Sequence, residues 1–145
     1  MTSTRIVWLC IAGWACLLAL TIYESAMIPD HLVLEGIDVS PEMSHRQAWT
    51  FAWIASGLAI AIAGLWSMRG WRATTIVSAL VFFVGWYLKG PMSRVGPLDG
   101  YRLMLESATQ LGRVGPYLVR DLLVPLLLLI AIAFAILGWR RQARN

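Results

Sequence analysis

Histidines and carboxylates cluster in the stretch that follows the first long apolar run. Asp30, His31, Glu42 and His45 carry the oxygen and imidazole nitrogen atoms that could ligate a divalent metal ion. Their spacing matches neither H-x-x-x-H nor H-E-x-x-H. The sequence therefore predicts no metal site, with these four residues as the weak candidates. It favours instead an acidic loop that packs on the basic residues of a later loop as a solvated layer of ion pairs.

Basic and aromatic residues near the ends of the later apolar runs suggest a different chemistry. Lys89, Arg94 and Arg120 could hold the headgroup of a lipid or a quinone, above an aromatic floor formed by Trp86, Tyr87 and Tyr117. No cofactor is predicted, and a bound lipid or quinone is the ligand that this pattern leaves open.

A second set of charged residues could contact a partner protein. Glu42, Arg46, Arg102 and Glu106 lie in the two stretches that have the greatest variety of polar residues. Glu42 and Arg46 are four residues apart, the spacing of a modest ion pair on a helix. The net charge of +4 is spread around the apolar runs and forms no patch, so nucleic acid is not an expected partner.

Catalytic groupings are absent from the sequence. There is no Ser-His-Asp, Cys-His or phosphate-binding glycine-rich pattern, and no C-x-x-C. Cys10 and Cys16 lie six residues apart, about 9 Å along a helix, which is too far for a disulfide. No apolar run carries a charged residue near its centre, which disfavours a pump, a proton-coupled exporter or an ion channel. The sequence thus favours a protein that is not an enzyme, and it predicts no catalytic residue.

Membrane-spanning helices are the elements that would position these side chains. Of the 145 residues, 59% are apolar and only 14% are charged, whereas soluble domains carry about 25% charged residues. Crossing a bilayer takes about 20 mostly apolar residues. The apolar runs predict four such helices, over residues 4–28, 41–68, 71–88 and 117–139. Tryptophans near the ends of these runs indicate an aromatic belt at the membrane surfaces.

A shorter amphipathic helix is predicted over residues 99–111, between the third and fourth spans. Asp99 would cap its start and Gly112 would end it. Such a helix would lie in the membrane interface. The fold prediction is therefore an all-α integral membrane protein: a single domain, residues 1–145, that forms a four-transmembrane-helix bundle with one amphipathic interfacial helix.

Three local patterns refine this prediction. Residues 30–40 alternate in polarity and suggest an extended arm or a small hairpin around Glu35-Gly36. The sequence RVGP occurs at residues 94–97 and again at 113–116, and it predicts two turns that bracket the amphipathic helix. Small residues on the second span predict a stripe for close helix packing, namely Ser56, Gly57, Ala61 and Gly64.

The basic residues bear on orientation. With four spans, both termini lie on the same side of the membrane as the link between spans two and three. Lysines and arginines divide equally, with Arg5, Arg69, Arg72, Arg140, Arg141 and Arg144 on that side and Arg46, Lys89, Arg94, Arg102, Arg113 and Arg120 on the other. All 8 acidic residues lie on the second side, and the first side holds its charges in very short segments. We expect a multi-pass protein of a bacterial inner membrane with both termini in the cytoplasm.

The leading functional hypothesis is a small accessory or structural subunit of a larger inner-membrane protein complex, which acts by helix packing and by contacts of its outer loops. It rests on the missing catalytic groups and on the small residues at lipid level. A small membrane enzyme or carrier that binds a lipid or quinone headgroup at the outer leaflet is the first alternative. A membrane-embedded immunity or regulatory protein is the second.

Overall fold

The computed structural model describes residues 3–27, 33–34, 37–38, 40–67, 70–89, 96–110, 112 and 114–142. Within these residues, four helices are long and apolar enough to cross a membrane: Ser3–Ala26, Ser44–Trp66, Trp71–Leu88 and Val114–Gly138. The prediction of a helical protein with four membrane-length helices is confirmed. Its predicted bounds agree with the structure to within a few residues at each end.

The elements follow in a simple order along the chain. In full, the helices are α1 (Ser3–Ala26), α2 (Ser40–Trp66), α3 (Trp71–Lys89), α4 (Pro97–Gln110), α5 (Val114–Leu118) and α6 (Val124–Gln142). Five residues between α5 and α6, Val119–Leu123, form a π-helical turn. The fourth span therefore consists of α5, this π-turn and α6.

A two-residue antiparallel ladder lies between α1 and α2. Val33 pairs with Asp38, and Leu34 pairs with Ile37. Of the two alternatives that the sequence left open for this loop, the structure has the small hairpin.

Glycines with positive φ flank the amphipathic helix α4 on both sides. Gly96 has φ +93° and precedes Pro97, the first residue of α4. Gly112 has φ +65°, and its N–H donates to the carbonyl of Thr109 at 3.2 Å. Glycine adopts this left-handed conformation without the steric cost of a Cβ. The predicted end at Gly112 is thus confirmed, whereas the helix starts two residues before Asp99, which lies in its first turn.

The described residues of the two RVGP copies have different structures. In the first copy, Gly96 is left-handed and Pro97 starts a helix. In the second copy, Val114, Gly115 and Pro116 form the first residues of α5. The prediction of a second turn at this site was wrong, because a proline in the first turn of a helix needs no N–H partner and leaves the helix intact.

The four spans form a bundle in which α1 and α3 meet across the middle. Helix α2 packs on α1 and α3 from one side, and the fourth span packs on both from the other. The buried core therefore draws side chains from every span, including Val7, Cys10, Trp14, Leu17, Ile54, Ala61, Ala79, Phe82, Val124, Leu128 and Ala131.

Glycines in the bundle make room for tryptophan rings. A Cβ on Gly57 of α2 would collide with the indole of Trp14 on α1, and one on Gly85 of α3 would collide with the indole of Trp53 on α2. Of the stripe predicted on α2, Gly57, Ala61 and Gly64 face inward, but Ser56 is exposed. The stripe thus serves packing within the bundle, with Ser56 as the exception.

Candidate functional site

A neutral polar group joins three helices at the middle of the bundle. Trp14 Nε1 donates to Ser78 Oγ at 2.8 Å, and Ser78 Oγ donates to the carbonyl oxygen of Gly57 at 2.7 Å. Cys10 Sγ lies 3.6 Å from the same hydroxyl. Ser78 and Trp14 are fully buried. Within this group, the indole N–H of Trp14 and the hydroxyl of Ser78 both find hydrogen-bond partners inside the bundle.

A column of aromatic rings leads from this centre toward the end of the bundle that lies away from the chain termini. The Trp14 ring contacts Trp53 and Phe82 edge-on, with centroids 5.6 Å and 5.8 Å apart. Phe82 in turn stacks on Trp86, with centroids 6.1 Å apart. The four rings come from α1, α2 and α3, so the column fixes how these helices pack.

A charged cluster ends this column. Trp86 Nε1 donates to Asp121 Oδ1 at 2.9 Å. Arg120 donates to the same carboxylate through Nε and Nη2, at 3.1 Å and 3.0 Å from Oδ2. Its Nη1 lies 3.5 Å from Glu24 Oε1 on α1. The Asp121 side chain is 1% exposed, whereas Arg120 is 40% and Glu24 is 32% exposed.

The π-turn explains why two adjacent charged residues can both face the bundle. The N–H of Val124 donates to the carbonyl of Val119, five residues earlier, so one extra residue is fitted into the turn. Pro125 follows directly and lacks the N–H that an α-helix would bond to the carbonyl of Asp121. The wider turn brings Asp121 inside, against α3, while Arg120 reaches across to α1.

Two of the predicted headgroup-binding residues converge here. Arg120 and Trp86 meet, but through Asp121, which the sequence analysis did not select. Among the described residues the cluster has two carboxylates and one guanidinium, so Arg120 is engaged by carboxylates of its own chain. Arg94 lies outside the described residues, and so do the side chains of Lys89 and Tyr117.

The predicted metal candidates do not form a described site. His45 accepts a hydrogen bond at Nε2 from Trp49 Nε1 at 2.9 Å, one helical turn away. Asp30, His31 and the side chain of Glu42 lie outside the described residues. Among the residues that are described, no three His, Cys, Asp or Glu side chains come close enough to hold an ion.

The predicted partner-contact residues lie on outer parts of the helices. Arg102 Nε and Glu106 Oε1 are 2.9 Å apart on α4, with side chains 79% and 52% exposed. Such a pair contributes about 0.3–0.5 kcal/mol to a helix. Arg46 is exposed on the first turns of α2. These side chains are accessible to a partner, and whether one binds them stays a prediction.

The outer faces of the four spans are of two kinds. On α1 and α2 the exposed positions within the spans carry small side chains, which we call the small-residue surface: Ala12, Ala15 and Ala19 on α1, with Ala48, Ala52, Ala55, Ser56, Ala59 and Ala63 on α2. Exposed Trp8, Trp49 and Trp66 border it. On α3 and the fourth span the exposed positions carry large aliphatic or aromatic side chains, among them Val77, Leu80, Val84, Leu122, Leu126, Leu129, Phe134 and Leu137.

A groove runs along the junction of α2 and α3. It has a volume of about 380 Å³ and is lined by Trp53, Val77, Leu80, Val81, Val84 and Gly85. Trp53 Nε1 donates to the carbonyl of Val81 at 2.9 Å, so the indole N–H is satisfied within the protein. The lining is apolar as a result.

Sequence reasoning missed two features of this arrangement. The span predicted over residues 117–139 contains Asp121 without giving it a role, although an Arg-Asp pair shortly before a proline inside an apolar run signals a distorted turn with a buried charge. The exposed alanines of α2 were missed because the stripe that was chosen, at Gly57, Ala61 and Gly64, lies on the opposite face of the same helix.

Comparison of the chain with protein-family models, curated proteins and solved structures finds no match.

Proposed function

We propose that this chain is an integral membrane protein whose four spans cross a bacterial inner membrane. Large apolar side chains cover the outside of α3 and the fourth span, where Leu129 is 52% exposed, and Trp66 at the end of α2 is 81% exposed. Exposure of this apolar surface to water is unfavourable, whereas lipid chains can cover it. Retention of the protein in the membrane fraction after alkaline extraction tests this proposal, and release into the soluble fraction contradicts it.

We also propose an orientation. The start of α1, the end of α6 and the adjoining ends of α2 and α3 lie at one end of the bundle, and we place this end in the cytoplasm because the sequence there carries arginines and no acidic residue. The helix α4 then lies in the outer interface, with its charged pair Arg102–Glu106 toward water. A C-terminal reporter that is active only in the cytoplasm checks this orientation. An inactive reporter on a stably expressed protein would reverse it.

Within the membrane, the proposed function is that of a small accessory subunit of a larger protein complex. The small-residue surface of α1 and α2 is the observation that supports it. Lipid chains place no demand for small side chains on a helix, but another transmembrane helix can approach closely only where side chains are small. The alanines recur every three or four residues on α2, which is the spacing of one continuous helix face.

Substitutions that add bulk to this surface test the proposal. The double variant Ala55→Leu, Ala59→Leu places two large side chains at the middle of α2, where they hold a partner helix away. Ala133→Leu is the matched control, because Ala133 is exposed on α6 among large side chains. The readout is affinity purification in mild detergent, followed by identification of the bound proteins.

The expected result is that the wild type and Ala133→Leu retain the same partner in fixed proportion, while the double variant loses it. The proposal fails if the wild-type protein elutes alone as a monomer. It also fails if the double variant, folded to the same extent, keeps its partner.

The two alternative functions have less support. A lipid or quinone headgroup site would need Arg120 to bind an anion, yet Arg120 already contacts the carboxylates of Asp121 and Glu24. The contributions of Lys89 and Arg94 to such a site stay predictions. An immunity or regulatory protein would use the same surface as an accessory subunit and differ in the identity of its partner.

A further inference from the structure

The charged cluster lies at the junction between two parts of the fourth span. On one side, α6 packs into the bundle through the fully buried Val124 and Leu128. On the other side are α5 and α4, which pack on each other. The described side chains of α4 are exposed, including Leu98 at 86%. The π-turn between them, Val119–Leu123, connects the outer part to α6 and packs on α1.

The contacts of the π-turn cross to two other helices. Asp121 is bound by Trp86 of α3, and Arg120 pairs with Glu24 of α1 while it also holds Asp121. Pro125 has no N–H to donate at this point, so the side-chain contacts of the cluster lie where the backbone ladder is locally weaker. An uninterrupted α-helix over the same residues would turn the part before the bulge by about 100° and move Arg120 away from Glu24.

We propose that the π-turn is a charge-locked hinge. The Asp121 carboxylate, bound to Arg120 and Trp86, holds the outer part of the span, α4 and α5, in one orientation against α1 and α3. Loss of that charge frees the outer part to move while α6 stays packed. The hinge is independent of the proposed partner surface, which lies on α1 and α2.

The chemistry of the cluster supports a lock of this kind. A carboxylate that is 1% exposed keeps its charge in the bundle only with donors around it, and here the guanidinium and the indole N–H supply them. Among the described residues, Glu24 is the other carboxylate facing Arg120. Donors from two different elements thus bind one carboxylate, so the strength of both hydrogen-bonded contacts depends on its charge.

Asp121→Asn tests the hinge, because the amide keeps the size of the side chain and an oxygen for Trp86 but loses the charge. Amide hydrogen exchange in detergent micelles is the readout, compared between residues 114–123 and residues 126–138. We expect exchange in the first segment to rise about ten- to a hundredfold, the range that follows from losing a charge-assisted hydrogen bond. Exchange in the second segment stays unchanged.

Asp99→Asn is the matched control, since Asp99 is an exposed carboxylate on α4, and it should leave both segments unchanged. The hinge is refuted if Asp121→Asn leaves residues 114–123 as protected as in the wild type. It is equally refuted if exchange rises to the same extent in both segments, because the cluster then stabilises the whole span and not the outer part alone.

A second variant covers the case in which Asp121→Asn does not fold. Trp86→Phe removes the N–H donor to Asp121 but keeps a ring to stack on Phe82. It should raise exchange in residues 114–123 about tenfold, the lower end of the same range, with residues 126–138 unchanged. No change in the first segment, or an equal change in both, would refute the hinge.

Discussion

The middle of the bundle and its end away from the termini both hold polar side chains among apolar ones, but with different chemistry. At the middle, the polar atoms are neutral: the indole of Trp14, the hydroxyl of Ser78 and a backbone carbonyl of α2. At the end, the polar atoms are charged: Glu24, Arg120 and Asp121. A tryptophan N–H donates in each region: that of Trp14 at the middle and that of Trp86 at the end.

If the four long helices span a membrane as proposed, depth in the bilayer accounts for the difference. A charged side chain at the centre of a bilayer is costly, whereas near the surface it can reach headgroups and water. In the cluster, Arg120 and Glu24 are partly exposed, and the single buried charge, Asp121, is bound by neighbours on two elements. We therefore expect the middle to dominate stability and the end to govern local motion.

Removing the ring at the middle should have the largest effect. Trp14→Ala takes away a fully buried indole that fills the space over Gly57 and contacts Phe82. The expected loss of stability is about 3–5 kcal/mol, as for other large-to-small substitutions of buried aromatic residues. The thermal-unfolding midpoint in detergent measures it, with Trp66→Ala, at a residue 81% exposed, as the control. Similar losses for both variants would contradict this account of the core.

Adding one methyl group at the same place should have an intermediate effect. Gly57→Ala puts a Cβ into the indole of Trp14, which is buried and cannot move aside. The expected cost is about 1–3 kcal/mol, in the range for overpacked cores. Gly115→Ala is the matched control, because a Cβ there meets no atom within 4 Å. A midpoint for Gly57→Ala equal to that of Gly115→Ala would show that the ring packing matters little.

Neutralising the outermost charge of the cluster should have the smallest effect. Glu24→Gln keeps the side-chain volume and loses a contact of 3.5 Å with Arg120, in a pair that is about one third exposed. The expected change in global stability is about 0–1 kcal/mol. The same unfolding midpoint measures it. If Glu24→Gln destabilised the protein as much as Gly57→Ala, the contrast between the two regions would not hold.

Several elements of the fold could be predicted because their causes are local in the chain. The length and polarity of the apolar runs gave four helices whose ends agree with the structure to within a few residues. A glycine after an amphipathic run predicted the left-handed end of α4 at Gly112. Alternating polarity at residues 30–40 allowed the small hairpin that the structure has.

Other features could not be predicted because their causes lie on different helices. The sequence around Gly57 gives no sign that a ring from Trp14, 43 residues earlier, will cover it. Gly96 and Gly115 have the same place in two identical RVGP segments, yet Gly96 lies just before a helix with φ +93° and Gly115 lies within one. Asp121 becomes a buried partner of Trp86 only when the π-turn and α3 lie side by side.

The sequence by itself determined that the chain is helical and which runs are apolar enough to span a membrane, because hydrophobicity and helix ends are properties of neighbouring residues. The tertiary structure decided which face of each helix is buried. It turned Gly57 inward and the alanines of α2 outward, and it brought Asp121 to Trp86. The reason is that a helix with apolar residues on all sides has no preferred inner face until the shapes of its neighbours select one.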